Sequence, residues 1–231
     1  MVAFDAKEPV GVLIGCKRPP HTLVHRIAVH PDQLRKGHGR HMLTSLSAKL
    51  AILGPPQLVA ELAAEQTPAR ALFAACGWRE ERTYIDLASE SPVASPAPPG
   101  LVVDVTVDDL MDVGLPDTTA PRSWHRTRGT LLNRRERLLG LAIASGESLD
   151  ASLLYTREDG HTAIWSLSTA PGAAADAALG MLLRDLAHRE PGRLLIPRIH
   201  DDEVAIDLLV QFGFTRGDGT IGVASEAQSR A

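Results

Sequence analysis

The sequence predicts a mixed α/β chain whose two similar halves each build a mostly antiparallel sheet flanked by helices. Three observations predict it. Short apolar runs of strand type alternate with amphipathic helical spacing along the whole chain. Residues 89–100, Ser-Glu-Ser-Pro-Val-Ala-Ser-Pro-Ala-Pro-Pro-Gly, read as a linker stiffened toward polyproline II. On either side of it, in 1–88 and 101–231, the same succession of elements recurs with similar separations between matching anchors.

In the first half, residues 2–5 and 10–15 read as a hairpin around Ala6-Lys7-Glu8-Pro9. Residues 21–30 form the next strand, with apolar Leu23, Val24, Ile27 and Val29, and His30-Pro31 ends it. A helix over 37–53 follows from the spacing of Met42, Leu43, Leu46 and Leu50, and Gly54-Pro55 stops it. A strand at 57–62, a helix at 67–76 and a strand at 82–87 complete the order β-β-β-α-β-α-β.

The second half opens with a strand at 101–106, a short helix at 108–113 and a helix from Pro121 toward Asn133. Strands follow at 138–144, 149–156 and 161–168, the last two joined by a Glu-Asp-Gly turn. A helix at 173–188, a strand at 193–197, a helix at 202–211 and a strand at 220–224 end the chain. The halves align with Ala28-Val29-His30-Pro31 on Ser168-Thr169-Ala170-Pro171, and with the stretch 71–78 on 207–214.

Composition excludes some classes of function. The formal net charge of −4 over 231 residues gives no general attraction for nucleic acid or membrane. Residues 17–40 nevertheless carry six Lys/Arg against one Asp, while 80–112 carry eight acids against one Arg. Cys16 and Cys76 make neither a metal spacing nor a disulfide framework, and no His/Cys/Asp/Glu cluster has ligand spacing. With no signal peptide and no apolar run of membrane length, a cytoplasmic protein with reduced thiols is expected.

The basic run coincides with the most informative segment, Ile27 to Arg40. A strand breaks at His-Pro and passes through a Gly-x-Gly loop into a helix. Bare amides at a helix start, with Arg35, Lys36 and Arg40 beside them, make a place to hold a pyrophosphate. The spacing is not that of a P-loop, since no Gly-x-x-x-x-Gly-Lys-Ser/Thr occurs. Nor is it a dinucleotide fingerprint, because Met42 stands where the third glycine would be. A Gly-x-Ser-x-Gly nucleophile motif is also absent.

This segment, Leu34-Arg35-Lys36-Gly37-His38-Gly39, resembles the acyl-CoA loop of the GNAT superfamily of N-acetyltransferases, whose pattern is Arg/Gln-x-x-Gly-x-Gly/Ala between a strand and a helix. Leu34 replaces the first polar residue, with Gln33 one position early. The resemblance continues through the strand 57–62 and the stretch 67–78, where Gln66 and Phe73 stand in place of the family's Asn and Tyr. It implies a tandem GNAT-like fold whose first copy lacks the first strand and two helices that normally wall the acceptor site. In the second copy Ala177 and Leu179 replace the loop glycines, so that copy is expected to be degenerate.

Carried over residue by residue, the resemblance implies that acetyl-CoA lies with its thioester and pantetheine on the backbone of Ile27, Ala28 and Val29. Its pyrophosphate would sit on the amides of Arg35, Lys36, Gly37, His38, Gly39 and Arg40, and Gln66 would bond the pantetheine arm. The acceptor would be a primary amine, deprotonated by Glu61 or by His25, which strict strand alternation places on the same face as Ile27. An acid within an otherwise apolar strand, Glu61 is a candidate for a raised pKa. The alternative is a protein that keeps acyl-CoA binding without efficient turnover, because Phe73 cannot donate a proton to the leaving thiolate. Neither nucleic acid nor membrane is expected as a partner. A homodimer is one arrangement that would cover the exposed edge of a truncated first sheet.

Overall fold

The computed structural model describes residues 1–90, 102–116, 121–145, 148–170 and 173–227, and in them the expected β-β-β-α-β-α-β order of the first half is present. β1 (Val2–Asp5) and β2 (Glu8–Arg18) form an antiparallel hairpin, and β3 (His21–Val29) continues the meander. α1 (His38–Leu53) then crosses to β4 (Gln57–Ala63), which runs parallel to β3. α2 (Thr67–Ala75) leads into β5 (Arg79–Ser89).

The helical spacing read from the sequence is the buried face of α1. Met42, Leu43, Leu46 and Leu50 pack on Leu13 and Val24, on Leu58, Ala60 and Leu62, and on Phe73 and Trp78. Gly54, at φ 38°, ends the helix.

The outer neighbour of β4 comes from the far end of the chain. β11 (Thr215–Glu226) pairs with it antiparallel, from Thr220↔Ala63 to Glu226↔Gln57, and Val223 enters the same core. The molecule accordingly divides into one compact unit of Met1–Thr83 with Gly219–Ala231, and a second of Tyr84–Asp218. The linker-based division at 88 and 101 differs from this chiefly in the last segment of the chain. Residues 91–100 of the linker lie outside the described residues. On the edge hairpin of the first unit Val2, Phe4, Val12 and Ile14 are exposed.

The second unit contains β6 (Val102–Val105), α3 (Val107–Asp112), α4 (Arg128–Asn133), β7 (Leu139–Ser145), β8 (Ser148–Glu158) and β9 (His161–Thr169). α5 (Ala173–Arg189), β10 (Arg193–Ile199) and α6 (Ile206–Gln211) follow. Residues 215–218 of β11 lie beside β5, and the order runs on through β10, β9, β8, β7 and β6. Only β9 and β10 are parallel among the pairs described there. Leu179, Leu182, Leu183 and Leu186 of α5 fill one core with Ile164 and Leu167. A smaller core holds Val107, Leu110 and Met111 of α3 with Leu131 and Leu154.

Two expected helices are shorter than their patterns. The one from Pro121 breaks into a 3-10 turn over Trp124–Arg126 and α4, with Thr127 extended between them. Hydroxyls compete with the backbone here: those of Thr127 and Thr130 both bond the Trp124 carbonyl. The helix expected from Asp202 begins at Ile206, whose N–H donates to Asp201 Oδ1 at 2.8 Å. No helix among the described residues is long and apolar enough to cross a membrane.

Candidate functional site

The first unit contains a strand fork. Parallel pairing of β3 with β4 runs from His21↔Gln57 to Val24↔Ala60 and stops, although β3 continues to Val29 and β4 to Ala63. Beyond the fork Ile27, Ala28 and Val29 pair with Leu13, Val12 and Gly11 of β2. Among the described residues no strand pairs with their other edge.

A bulge at His25 marks the opening. Ile14 pairs with Arg26 and Gly15 with Val24, so His25 is the extra residue of the bulge. The bulge switches the faces of the strand, since Val24 and Ile27, three residues apart, both pack against the α1 core. Strict alternation therefore does not hold across His25 and cannot by itself assign that residue a face. The imidazole is exposed at the fork, and nothing in the local sequence announced the extra residue.

β3 leads straight into the loop. His30 caps the 3-10 turn Pro31–Gln33, accepting the Asp32 N–H at 3.3 Å. The chain then passes through left-handed conformations at Arg35 (φ 64°) and Gly37 (φ 89°). Such reversals of handedness shape backbone concavities that bind anions. The first bond of the helix runs from the His41 N–H to the Gly37 carbonyl at 2.9 Å. None of the backbone amides of residues 35–40 donates to another backbone group in the loop.

The two glycines serve different ends. A Cβ on Gly37 would meet nothing within 4 Å, so its requirement is the positive φ. A Cβ on Gly39 would lie 3.0 Å from Leu72 Cδ2 and 3.8 Å from Val29 Cγ2. Gly39 therefore lets α2 and the end of β3 approach α1.

The basic side chains are partly committed. Lys36 Nζ donates to Gln33 Oε1 at 2.8 Å. Arg40 is beside Cys76, whose thiol is pushed up by burial against the opposing influence of that guanidinium. His38 Nε2 is buried without a hydrogen-bond partner.

Glu61 is the first residue of β4 beyond the fork and stands opposite Gly222 of β11, half-buried. Gln66 is the exposed N-cap residue of α2, and its side chain makes no capping bond there. Phe73 packs edge-on against Trp78 at 4.8 Å and is 1% exposed, so it belongs to the core. The unpaired edge of β3 thus runs on into the amide loop, and Glu61 is the first residue of β4 past the point where the two strands part. Among the described residues no three His, Cys, Asp or Glu side chains come together as a metal ligand set.

Comparison with known proteins bears on the fold. Residues 1–78 match the acetyltransferase (GNAT) family model. The chain is similar in fold to a GCN5-related N-acetyltransferase from Sphaerobacter thermophilus, with TM-score 0.65, 15% identity, and coverage of 96% of this chain and 78% of that one. It is similar also to a tandem GNAT protein from the clavulanic acid biosynthesis pathway, with TM-score 0.68, 15% identity, and coverage of 100% and 83%. A GCN5-related N-acetyltransferase from Kribbella flavida gives TM-score 0.63 at 14% identity, covering 94% and 87%. Comparison with curated proteins gave no match.

Proposed function

We propose that the first unit, whose residues 1–78 match the acetyltransferase (GNAT) family model, binds acetyl-CoA and moves its acetyl group to a primary amine. The observation that carries this reading is the continuity of β3 from the strand fork into the amide loop. An extended ligand with an acyl thioester at one end and a pyrophosphate at the other fits that track. The pantetheine arm takes the unpaired edge of Ile27, Ala28 and Val29, with Gln66 alongside. The pyrophosphate takes the amides of residues 35–40 at the start of α1, where the helix dipole favours negative charge.

In this reading the amine nitrogen attacks the thioester carbonyl carbon in a ternary complex, the C–S bond breaks, and CoA leaves as a thiolate. Glu61, at the mouth of the fork, accepts the proton the amine loses; His25 is the second candidate for that role. Water protonates the thiolate.

A second reading, acyl-CoA binding without efficient transfer, is favoured by one observation. Phe73 is buried against Trp78 and offers no proton.

Calorimetric titration of acetyl-CoA into the full-length protein tests the site. Gly37→Val is expected to weaken binding at least tenfold, about 1.4 kcal/mol. Absence of binding by the wild-type chain at millimolar ligand would remove the whole reading. Release of free CoA thiol across a panel of amines then separates the two versions. Transfer predicts amine-dependent release that Glu61→Gln lowers by about a hundredfold; binding alone predicts none.

A further inference from the structure

The second unit repeats the strand fork and fills it with one of its own side chains. Leu154 pairs with Ser166 and Tyr155 with Ile164, so Trp165 is bulged from β9 as His25 is from β3. Parallel pairing with β10 ends at Ala163↔Leu195. At the next residue the Ile164 carbonyl accepts a hydrogen bond from Arg126 Nη1 at 2.9 Å. The same nitrogen reaches the Pro197 carbonyl of β10 at 3.3 Å. One guanidinium nitrogen therefore bridges both strands where they part.

Nε and Nη1 of that group are satisfied by the surroundings, while Nη2 is buried with no hydrogen-bond partner among the described residues. Arg126 is 0% exposed. Its Nε donates to both carboxylate oxygens of Glu203 at 3.1 Å, and Arg122 Nη1 donates to the same carboxylate. β10 bulges to meet it: Ile196 pairs with Leu87 and Ile199 with Ile85, leaving Pro197 and Arg198 opposite Asp86 alone. Arg198 takes a left-handed φ of 51°, and its N–H donates to Asp86 Oδ1 at 2.7 Å. In the first unit β4 pairs with β11 through the matching stretch without interruption. A buried charge is tolerated only where hydrogen bonds and counter-charge surround it, and here β10 is deformed to supply one of them.

The phosphate end has changed as well. α1 begins thirteen residues after the bulged His25, whereas α5 begins eight after Trp165. The helices themselves are nearly equal, sixteen residues in α1 and seventeen in α5, so the connection between strand and helix is the part that is shorter in the second unit.

We propose that Arg126 is a resident substitute for a ligand, holding the strand fork of the second unit shut so that acyl-CoA enters the first unit only. The count of one site per chain rests on the first-unit reading; the occupied fork does not.

Hydrogen–deuterium exchange on the full-length protein, with and without acetyl-CoA, is the test of the count. Protection is expected in residues 25–41 and not in 164–170 or 197–203. Protection in the second set, or two sites per chain by calorimetry, overturns the proposal. The plug itself is tested without acetyl-CoA. Arg126→Ala should melt below the wild type and recover in millimolar methylguanidinium but not in methylammonium at the same concentration. An unchanged melting temperature, or a loss that methylguanidinium does not reverse, overturns it. Should Arg126→Ala not fold, Arg126→Lys keeps the charge but cannot span both carbonyls and carboxylate. Its amides at 164–167 should then exchange at least tenfold faster than in the wild type, and equal exchange would overturn the plug. If acetyl-CoA binds nowhere, the first-unit reading fails while these measurements still decide Arg126.

Discussion

Gly37, with φ 89° and open space where a Cβ would be, costs a side-chain-bearing residue about 1–2 kcal/mol through backbone conformation alone. Gly39, two residues on, is constrained by Leu72. Gly39→Ala is therefore expected to lower stability by about 1 kcal/mol through overpacking. In a double-mutant cycle, Leu72→Ala should cost less in the Gly39→Ala background than alone, because the truncation removes the clash. Strict additivity would mean that the two do not meet. His21 gives a residue-scale pH dependence. Burial holds its imidazole below the usual value of 6.5, with Glu81 opposing the shift. Charging it is thus harder in the folded chain than in the unfolded one. Its contribution is complete above about pH 6.5 and is lost as pH falls through its lower folded value. His21→Gln should flatten the fall of the urea midpoint between about pH 7 and pH 5. A slope matching the wild type would show that other groups set it.

Among the elements, those with unambiguous punctuation were legible. α1 has its apolar spacing and a Gly-Pro stop; α3 has a capping box in which Thr106 Oγ1 accepts the Asp109 N–H and Asp109 Oδ2 accepts the Thr106 N–H. Thr106→Ala should cost about 1 kcal/mol in a thermal or urea melt, and no loss would show that packing of Leu110 and Met111 alone holds the helix. The segments read less well are those where side chains divert the backbone. Asp201 caps α6 several residues later than the apolar pattern suggests, and Thr127 and Thr130 interrupt the helix expected from Pro121. The bulges at His25 and Trp165 lie within otherwise regular strand patterns, because a bulge is defined by its partner strand. That is why alternation alone does not assign the face of His25.

For the whole molecule the decisive feature is the return of residues 219–226 to β4. A chain ending at residue 218 would leave the outer edge of β4 bare and remove Val223, which is 3% exposed, from the core behind α1. Loss of that side chain alone costs about 1.5–3 kcal/mol, and the strand ladder goes with it. The truncated chain is expected to lose acetyl-CoA binding although the deletion spares every loop residue from 30 to 40. Binding at wild-type affinity by 1–218 would show that β11 is dispensable to the site.

What could be read from the chain alone is local: which segments are strands and helices, and that a Gly-x-Gly loop flanked by Arg35, Lys36 and Arg40 leads from a strand into α1. Each rests on residues within a turn or two of one another, where periodicity, glycine and proline act directly on the backbone. The rest required the folded molecule. Residues 219–226 find β4 across more than a hundred and fifty residues of chain, and Arg126 finds Ile164, Pro197 and Glu203 at separations of 38, 71 and 77 residues. Such pairings are set by competition among many apolar strands and buried polar groups, each satisfied only in the assembled sheet, and no single stretch of sequence carries the outcome.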